Sequence, residues 1–329
     1  MKNASAAVKR PAKYAIPKQE LLDRWDEMRS ERDITYKPKS ISTWERSIGD
    51  ADVRVIYCAG RRKRQESNNT DGNKDEKKGE ENEPRPCSLC FAPILRTMPG
   101  NLNIMPNQFP YEYGAILGIS KTCKKQDDIN TGDLREILEI AYENPYLAFF
   151  YNGLGAAGAS QEHFHIQGVL RNGRIPPIEQ APLVPFLNNI EAANVYKTPD
   201  YPIYTLVVDG EVFAASRKAV GIIDLLKEMD ISFNMAFTPD KKICIIPRSK
   251  AVSSTLKMVS GDKDYAQKIG GMEVMGWFCT EYRTVFDKIS KADTALEILT
   301  NALNDVGLDQ QQQYALEEKL FRMFAARAA

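Results

Sequence analysis

The chain has 329 residues, of which 43% are hydrophobic and 27% charged, the proportions of a globular protein that buries a core. Lysine plus arginine equals aspartate plus glutamate at 44 each, so the net charge gives no reason to expect nucleic acid or a membrane as a partner. No apolar run is long enough to span a membrane, and the N-terminus has no apolar signal region. The six cysteines are therefore expected as thiols or metal ligands in a cytoplasmic protein.

The first part of the chain alternates structured and polar stretches. Hydrophobic periodicity predicts a helix over residues 19–32 and a strand over residues 53–57, within an N-terminal extension, residues 1–60, that packs on the core. Residues 61–86 hold almost no apolar side chain, so burial cannot offset their ordering entropy and a flexible charged insert is expected. A solvated loop is the simpler interpretation of this insert, and a regulatory role stays open.

Beyond the insert, apolar patterns predict a more continuous structure. Short strands are expected between residues 102 and 118, and a helix capped by Asp133 over residues 131–143. Two buried strands then follow, at residues 146–151 and 163–171.

The second half shows a similar mixture. Residues 204–208 and 212–215 flank the pair Asp209-Gly210, which is typical of a hairpin. The further predicted elements are a helix at 219–229, strands at 233–237 and 243–246, and terminal helices at 292–303 and 310–324. Strands, hairpins and helices mixed in this way favour an α+β fold over a doubly wound parallel sheet.

The two histidines of the chain, His163 and His165, stand two positions apart and are followed by Gln167. On a strand these three side chains share one face, with Phe164 and Ile166 packing behind them. A neutral imidazole can attack an α-phosphorus and form a phosphoramidate, from which an acceptor takes the nucleotidyl group. Alone, a His-x-His pair is a weak signal that a structural or metal-binding pair explains better.

A loop of glycine and alanine, residues 153–159, precedes the two histidines. Small residues let backbone N–H groups approach an anionic group closely. Ser160 and Gln161 add side-chain donors at the end of the loop. Together with Gln167, these donors would stabilise charge on the oxygens of a phosphate.

The sixteen residues 152–167 resemble the active-site signature of the galactose-1-phosphate uridylyltransferase branch of the histidine-triad superfamily. Their sequence is most similar to the corresponding motif of diadenosine tetraphosphate phosphorylases (ATP adenylyltransferases), and the motif of GDP-hexose phosphorylases is similar too. The resemblance implies two fused histidine-triad-like halves built on a mainly antiparallel sheet with flanking helices. We assign the catalytic half to residues 87–200 and a degenerate second half with C-terminal helices to residues 201–329.

The resemblance also implies roles for single residues. His165 would be the nucleophile and Gln167 would contact the transferred phosphate, while Asn152, Gly158 and Ser160 would line the phosphate site. In hydrolytic members of the superfamily a third histidine occupies the position of Gln167, so glutamine marks the transferase and phosphorylase branch. The stretch that resembles the element holding base and ribose is Asn107, Gln108 and Phe109.

Later stretches agree with this resemblance. Residues 233–235 and 245–248 resemble the degenerate second repeat of the branch, and residues 271–276 resemble a late motif of the GDP-hexose phosphorylases. Arg248 follows a predicted strand and could meet a second phosphate. A surface position for Arg248 is equally consistent with the sequence.

Cys87 and Cys90 have the spacing of metal ligands, although a pair of buried thiols would look the same. The resembled uridylyltransferases can hold a structural zinc with such a pair, a further histidine and the first histidine of the His-x-His. Cys123 stands here in place of that further histidine, so the resemblance implies a Cys₃His zinc site formed with His163. Because many phosphorylases of the branch lack zinc, a space-filling role for Cys123 is the alternative.

The expected activity is transfer of a nucleoside monophosphate from a dinucleoside polyphosphate or NDP-sugar to phosphate or a sugar phosphate, through a covalent nucleotidyl-His165. The alternatives are a nucleotide hydrolase and a nucleotide-binding protein without turnover. The chain lacks the further histidines that bind a second metal in the uridylyltransferases, which disfavours a hexose-1-phosphate uridylyltransferase proper. Dimers are common in the resembled branch, which leaves a homodimer open.

Overall fold

The structure is a computed structural model that describes residues 12–30, 42–48, 51–58, 87–190 and 192–325. The predicted insert at residues 61–86, and the last two residues of the first predicted helix, lie outside the described residues. The described helices are α1 (Lys18–Ser30), α2 (Thr131–Glu143), α3 (Pro177–Gln180), α4 (Val212–Glu228), α5 (Ser254–Ser260), α6 (Gly271–Val274), α7 (Arg283–Lys291), α8 (Ala295–Val306) and α9 (Gln310–Ala325). None of them is long and apolar enough to cross a lipid bilayer.

The described strands form two sheets. In chain order they are β1 (Ser42–Ile48), β2 (Ala51–Tyr57), β3 (Arg96–Thr97), β4 (Leu102–Pro106), β5 (Ile116–Ser120), β6 (Leu147–Asn152), β7 (His165–Leu170), β8 (Val184–Ile190), β9 (Ala193–Lys197), β10 (Leu206–Gly210), β11 (Ser232–Phe237), β12 (Ile243–Arg248) and β13 (Trp277–Thr280). The large sheet has the order β3-β4-β5-β7-β6-β11-β12-β10-β9-β8, and the small sheet the order β1-β2-β13.

Every pairing within the ten-stranded sheet is antiparallel, which confirms the predicted α+β class with a mainly antiparallel sheet. Strands β3 to β7 form one half of the sheet and strands β8 to β12 the other. The two halves join where β6 pairs with β11, with Asn152 opposite Asn234. The division of the chain at residue 200 stays a prediction, and β8 and β9 lie in the second half of the sheet.

Both faces of the large sheet are covered. On β6, Phe149 and Tyr151 face a core shared with α2, α4 and α9, whereas Ala148 and Phe150 face a core shared with β2, β13, α7 and α8. Successive side chains of a strand point to opposite faces, so a strand buried on both faces is apolar throughout. This is why residues 147–151 read as one continuous apolar and aromatic run.

Two local predictions need correction. The hairpin predicted around Asp209-Gly210 is wrong, because β10 leads into helix α4 at Val212. Glu211 caps that helix by accepting the backbone N–H groups of Phe213 at 2.9 Å and Ala214 at 3.0 Å. A capped first turn outweighs the weak strand preference of the few residues that follow.

The predicted helix α2 is present over Thr131–Glu143, but its cap is Asn130 instead of Asp133. The Asn130 side chain accepts the Asp133 N–H at 3.1 Å, and the Asp133 carboxylate accepts the Asn130 N–H at 2.9 Å. The two residues therefore form a reciprocal capping box, in which Asp133 is the third residue of the helix.

Removing this cap should destabilise the fold by a small, defined amount. We expect Asn130→Ala to lower the free energy of unfolding by about 1 kcal/mol, because the Asp133 N–H loses its acceptor. Asn130→Ser, which keeps a capping oxygen, should lie within about 0.5 kcal/mol of the wild type in the same urea titration. Equal stabilities for the alanine and serine variants would contradict the capping role.

Candidate active site

Strand β7 determines the direction in which the side chains of His165 and Gln167 point. It runs between β5 and β6 and pairs antiparallel with both. His165 and Gln167 face a cleft, while Phe164 and Ile166 pack into the core behind them. The alternation of side chains along one strand therefore brings the predicted nucleophile and the predicted phosphate contact to the same surface.

The ring of His165 is held in one orientation. Its Nδ1 lies 2.8 Å from the backbone carbonyl of His163, which can only accept, so the proton is assigned to Nδ1 and Nε2 carries the lone pair. Burial lowers the pKa of His165, against the opposing effect of the bond to the His163 carbonyl. The imidazole is therefore neutral near pH 7, the form that can act as a nucleophile.

The cleft has a volume of about 520 Å³ and combines residues of both halves of the chain. The predicted site residues that line it together with His165 and Gln167 are Asn107, Gln108, Phe109, Asn152, Gly158, Ser160 and Gln161. At the end of β4, the Asn107 side chain accepts the Phe109 N–H at 2.9 Å and so turns the chain along the cleft wall. A cleft of this size can enclose much of a nucleotide.

The loop of small residues is held by the protein over most of its length. The N–H of Gly153 donates to the Phe233 carbonyl at 3.1 Å, and that of Leu154 to the Asp127 carboxylate at 3.2 Å. Gly158 has a φ of 93°, which lets the chain turn back towards the histidines. At the end of this loop, no described residue accepts the N–H groups of Ser160 and Gln161.

Asn152 is fixed by residues of the second half. Its Oδ1 accepts the Asn234 amide at 2.9 Å and the Gly271 N–H at 2.5 Å. With the oxygen used in this way, the Nδ2 group of Asn152 remains on the cleft side as a donor. The predicted phosphate contact of Asn152 therefore depends on two segments that lie more than eighty residues further along the chain.

Arg248 does not line the cleft, contrary to its predicted contact with a second phosphate. Its side chain is 1% exposed and donates to the carbonyls of Val306, Ile269 and Lys250 and to Asn234 Oδ1. Its donors are used by these acceptors, so Arg248 orients Asn234, which in turn holds Asn152. Burial lowers the pKa of Arg248 to about 10, so the guanidinium is still protonated at pH 7.

The opposite wall of the cleft was not predicted as part of the site. It comprises Gln267, Lys268, Gly270, Glu273, Cys279 and Glu281. Glu273 accepts the backbone N–H groups of Gly270 at 2.8 Å and Cys279 at 3.2 Å, which closes the turn between these two segments. The motif at residues 271–276, which contains Glu273, is the sequence signal for this wall, although the resemblance assigned no role to its side chains.

Among the described residues that line the cleft, Lys268 is the one lysine or arginine. Its Cβ would lie 3.9 Å from a Cβ built on Gly158, so it stands directly beside the loop of small residues. A cation at this position can attract a substrate that carries several phosphate charges.

The predicted metal ligands come together beside the start of the strand that carries His165. The ligand atoms of Cys87, Cys90, Cys123 and His163 all lie within 4.8 Å of one another. His163 Nδ1 is 3.3 Å from Cys87 Sγ and 3.4 Å from Cys90 Sγ. A tetrahedral zinc, with bonds of about 2.3 Å to sulfur and about 2.0 Å to nitrogen, separates such ligands by roughly 3.5 Å, which fits these distances.

The ring of His163 is also oriented for metal binding. Its Nε2 lies 2.9 Å from the Ser120 carbonyl, which leaves the lone pair on Nδ1, the atom that faces the thiols. Three thiolates and one neutral imidazole form a closed ligand set, so a zinc ion bound here would have a structural function. Since the His163 carbonyl also holds His165, such an ion would stiffen the start of the nucleophile strand.

The chain is similar to a family model and to solved structures. Residues 177–327 match the model of the GDPGP1-like C-terminal domain. The yeast Ap4A phosphorylase Apa2 in complex with Ap4A superposes with a TM-score of 0.65 at 15% identity, covering 89% of this chain and 98% of that one. The chain therefore has the fold of the yeast Ap4A phosphorylase.

A second structure of the yeast enzyme, in complex with AMP, superposes with a TM-score of 0.63 at 15% identity, covering 88% of this chain and 96% of that one. The likeness extends over nearly the whole length of the yeast enzyme. No curated protein matches the chain in sequence.

Zinc content tests the metal cluster. We expect the protein, purified and dialysed against a mild chelator, to retain about one zinc ion per chain, because the four ligand atoms fit a tetrahedral site. Cys123→Ala should retain clearly less zinc in elemental analysis. Cys244→Ala, which removes a buried thiol outside the cluster, should retain as much as the wild type. Equal zinc in the two variants would rule out Cys123 as a ligand.

Proposed function

We propose that the protein is a nucleotidyltransferase or nucleotide phosphorylase that works through a covalent nucleotidyl-His165. The observation that carries this proposal is the fixed ring of His165, with Nδ1 on the His163 carbonyl and Nε2 on the cleft side. A nucleophile must present its lone pair to the reacting atom, and this bond determines which ring nitrogen does so.

The proposed reaction has two displacement steps. In the first, Nε2 attacks the α-phosphorus of a nucleotide, a phosphorus–nitrogen bond forms, and the bond to the leaving phosphate or sugar phosphate breaks with its electron pair on oxygen. The imidazolium that forms is stabilised by its Nδ1–H bond to the His163 carbonyl. In the second, an oxygen of the acceptor attacks the same phosphorus, the phosphorus–nitrogen bond breaks, and the neutral imidazole returns.

The residues around His165 supply the donors that this reaction needs. Gln167, the Nδ2 group of Asn152 and the N–H groups of Ser160 and Gln161 would bind the oxygens of the transferred phosphate. Lys268 would bind the charge of the phosphates that lie further along the substrate. Asn107, Gln108 and Phe109 would hold the nucleoside at the other end of the cleft.

The substrate class is part of the proposal. The yeast structures of this fold are described as an Ap4A phosphorylase in complex with Ap4A and with AMP. By likeness we infer a donor that is a dinucleoside polyphosphate or an NDP-sugar, and an acceptor that is inorganic phosphate or a sugar phosphate. A zinc ion held by the Cys₃His cluster would support the site without contacting the substrate.

Mass spectrometry of the intact protein tests the covalent step. After brief incubation with dinucleoside polyphosphates and NDP-sugars in the absence of acceptor, we expect an adduct of one nucleoside monophosphate on the wild type. His165→Ala should show none, and its turnover should fall by about 10³-fold or more because the nucleophile is lost.

Adding inorganic phosphate should discharge the adduct faster than buffer alone, which separates a phosphorylase from a hydrolase. If the wild type binds a nucleotide from this panel and cleaves it without forming an adduct, the covalent mechanism is wrong.

Lys268 should contribute to phosphate binding more than to the chemical step. We expect Lys268→Ala to raise KM for the polyphosphate donor by about tenfold, with a smaller change in kcat, because a uniform binding contact is removed. The control is Lys263→Ala, which removes an exposed lysine that does not line the cleft. Identical steady-state constants for the two variants would show that Lys268 does not bind substrate.

A further inference from the structure

The pairing between β6 and β7 ends within the cleft, before it reaches His165. The ladder runs from Leu147 opposite Leu170 to Phe150 opposite Gln167 and ends there. In the same register Asn152 would stand opposite His165. Both residues lie within their strands, because each still pairs with a different neighbour, Asn152 with β11 and His165 with β5. The two strands thus separate where the proposed nucleophile and a proposed phosphate contact face each other.

The side chain of Gln126 lies between the two strand ends. Its Oε1 accepts the His165 N–H at 2.8 Å. Its Nε2 donates to the Asn152 carbonyl at 2.6 Å and to the His165 carbonyl at 3.1 Å. One side-chain amide thereby bonds to three of the four backbone groups through which Asn152 and His165 would otherwise pair.

Gln126 is itself held firmly. It is fully buried, its N–H donates to the Glu162 carbonyl at 2.5 Å, and its carbonyl accepts the Tyr151 hydroxyl at 2.7 Å. Two residues earlier, the Lys124 carbonyl accepts the Phe164 N–H at 2.7 Å. The segment that carries Gln126 therefore lies alongside the start of β7, and its side chain has little freedom to move.

The chemistry of this position selects glutamine. The side chain must accept one bond and donate two within the same planar group, which hydroxyl and carboxylate side chains cannot do. Asparagine has the same amide but is one methylene shorter, so it would not reach both strands from the same backbone position. Removing the Gln126 amide would leave the His165 N–H and the Asn152 carbonyl without hydrogen-bond partners in the protein interior.

We propose that Gln126 is a positioning residue that keeps the ends of β6 and β7 apart, so that the transferred phosphate fits between Asn152 and the ring of His165. This inference rests on the proposed function of His165. Gln126 does not line the cleft, so it acts on the reaction through the backbone of these two residues. Misplacing a nucleophile by about 1 Å can cost about 10²-fold in rate, which sets the size of the expected effect.

The experiment compares two variants that each remove a buried amide. Gln126→Met preserves the approximate length of the side chain and removes its hydrogen bonds. The matched control is Asn144→Leu, because Asn144 is also fully buried and its amide also bonds only to backbone, at Ile16, Tyr14 and Ile140, away from the cleft. If Gln126→Met does not fold, Gln126→Asn, which retains the amide and loses its reach, takes its place.

Two readouts are measured on folded protein. The first is steady-state kinetics, where we expect kcat of Gln126→Met to fall by about 10²-fold while KM for the nucleotide changes by less than about threefold. The second is NMR of ¹⁵N-labelled histidine, in which the two histidines of the chain give two separable rings. We expect the His165 ring to lose its single Nδ1–H tautomer and the His163 ring to be unchanged.

Each outcome decides the proposal. Loss of kcat and of the His165 tautomer in the Gln126 variant, with neither in Asn144→Leu, supports it. Wild-type kcat and tautomer in the Gln126 variant overturn it, as does an equal loss of kcat in both variants, because Gln126 would then contribute only stability. If the wild type transfers no nucleotide, the proposed function fails, and the His165 tautomer still shows whether Gln126 positions the ring.

Discussion

The hydrogen bond from His165 Nδ1 to the His163 carbonyl is the interaction on which the candidate site depends. It fixes the free nitrogen of the ring on the cleft side, and it requires the backbone of His163 to keep its direction. The His163 side chain, bonded at Nε2 to the Ser120 carbonyl and turned towards the thiols, helps to fix that direction. The backbone of one residue thus holds the proposed nucleophile, while its side chain belongs to the candidate metal cluster.

The second half of the chain supports the candidate site. Its strand β11 extends the sheet beside β6, and Asn234 and Gly271 hold the amide oxygen of Asn152. Arg248 anchors Asn234 from within the core, where its charge is stabilised by carbonyl oxygens. The segment around Lys268 and Glu273 then forms the far wall of the cleft, so the enclosed space exists only between the two halves.

The sequence was sufficient for features that depend on neighbours along the chain and on the signature at residues 152–167. Helix α2, the strand that carries His165 and the Cys-x-x-Cys pair are of this kind. The sequence was insufficient where contacts between segments that are far apart along the chain determine the structure. Strand β13 pairs in parallel with β2, more than two hundred residues away, and the buried position of Arg248 results from carbonyls of three separate segments. Gln126 carries no motif, since its partners meet only in the folded sheet.

The pairing of β6 with β11 limits how far the chain can be shortened. A gene fragment that ended before β11 would leave the edge of β6 unpaired, and an open, apolar edge of this kind promotes aggregation. The same fragment would lack Asn234, so Asn152 would lose the partner that orients it. The strand that carries Asn152 therefore depends on β11 for a paired edge, and the two halves of the sheet form one folding unit.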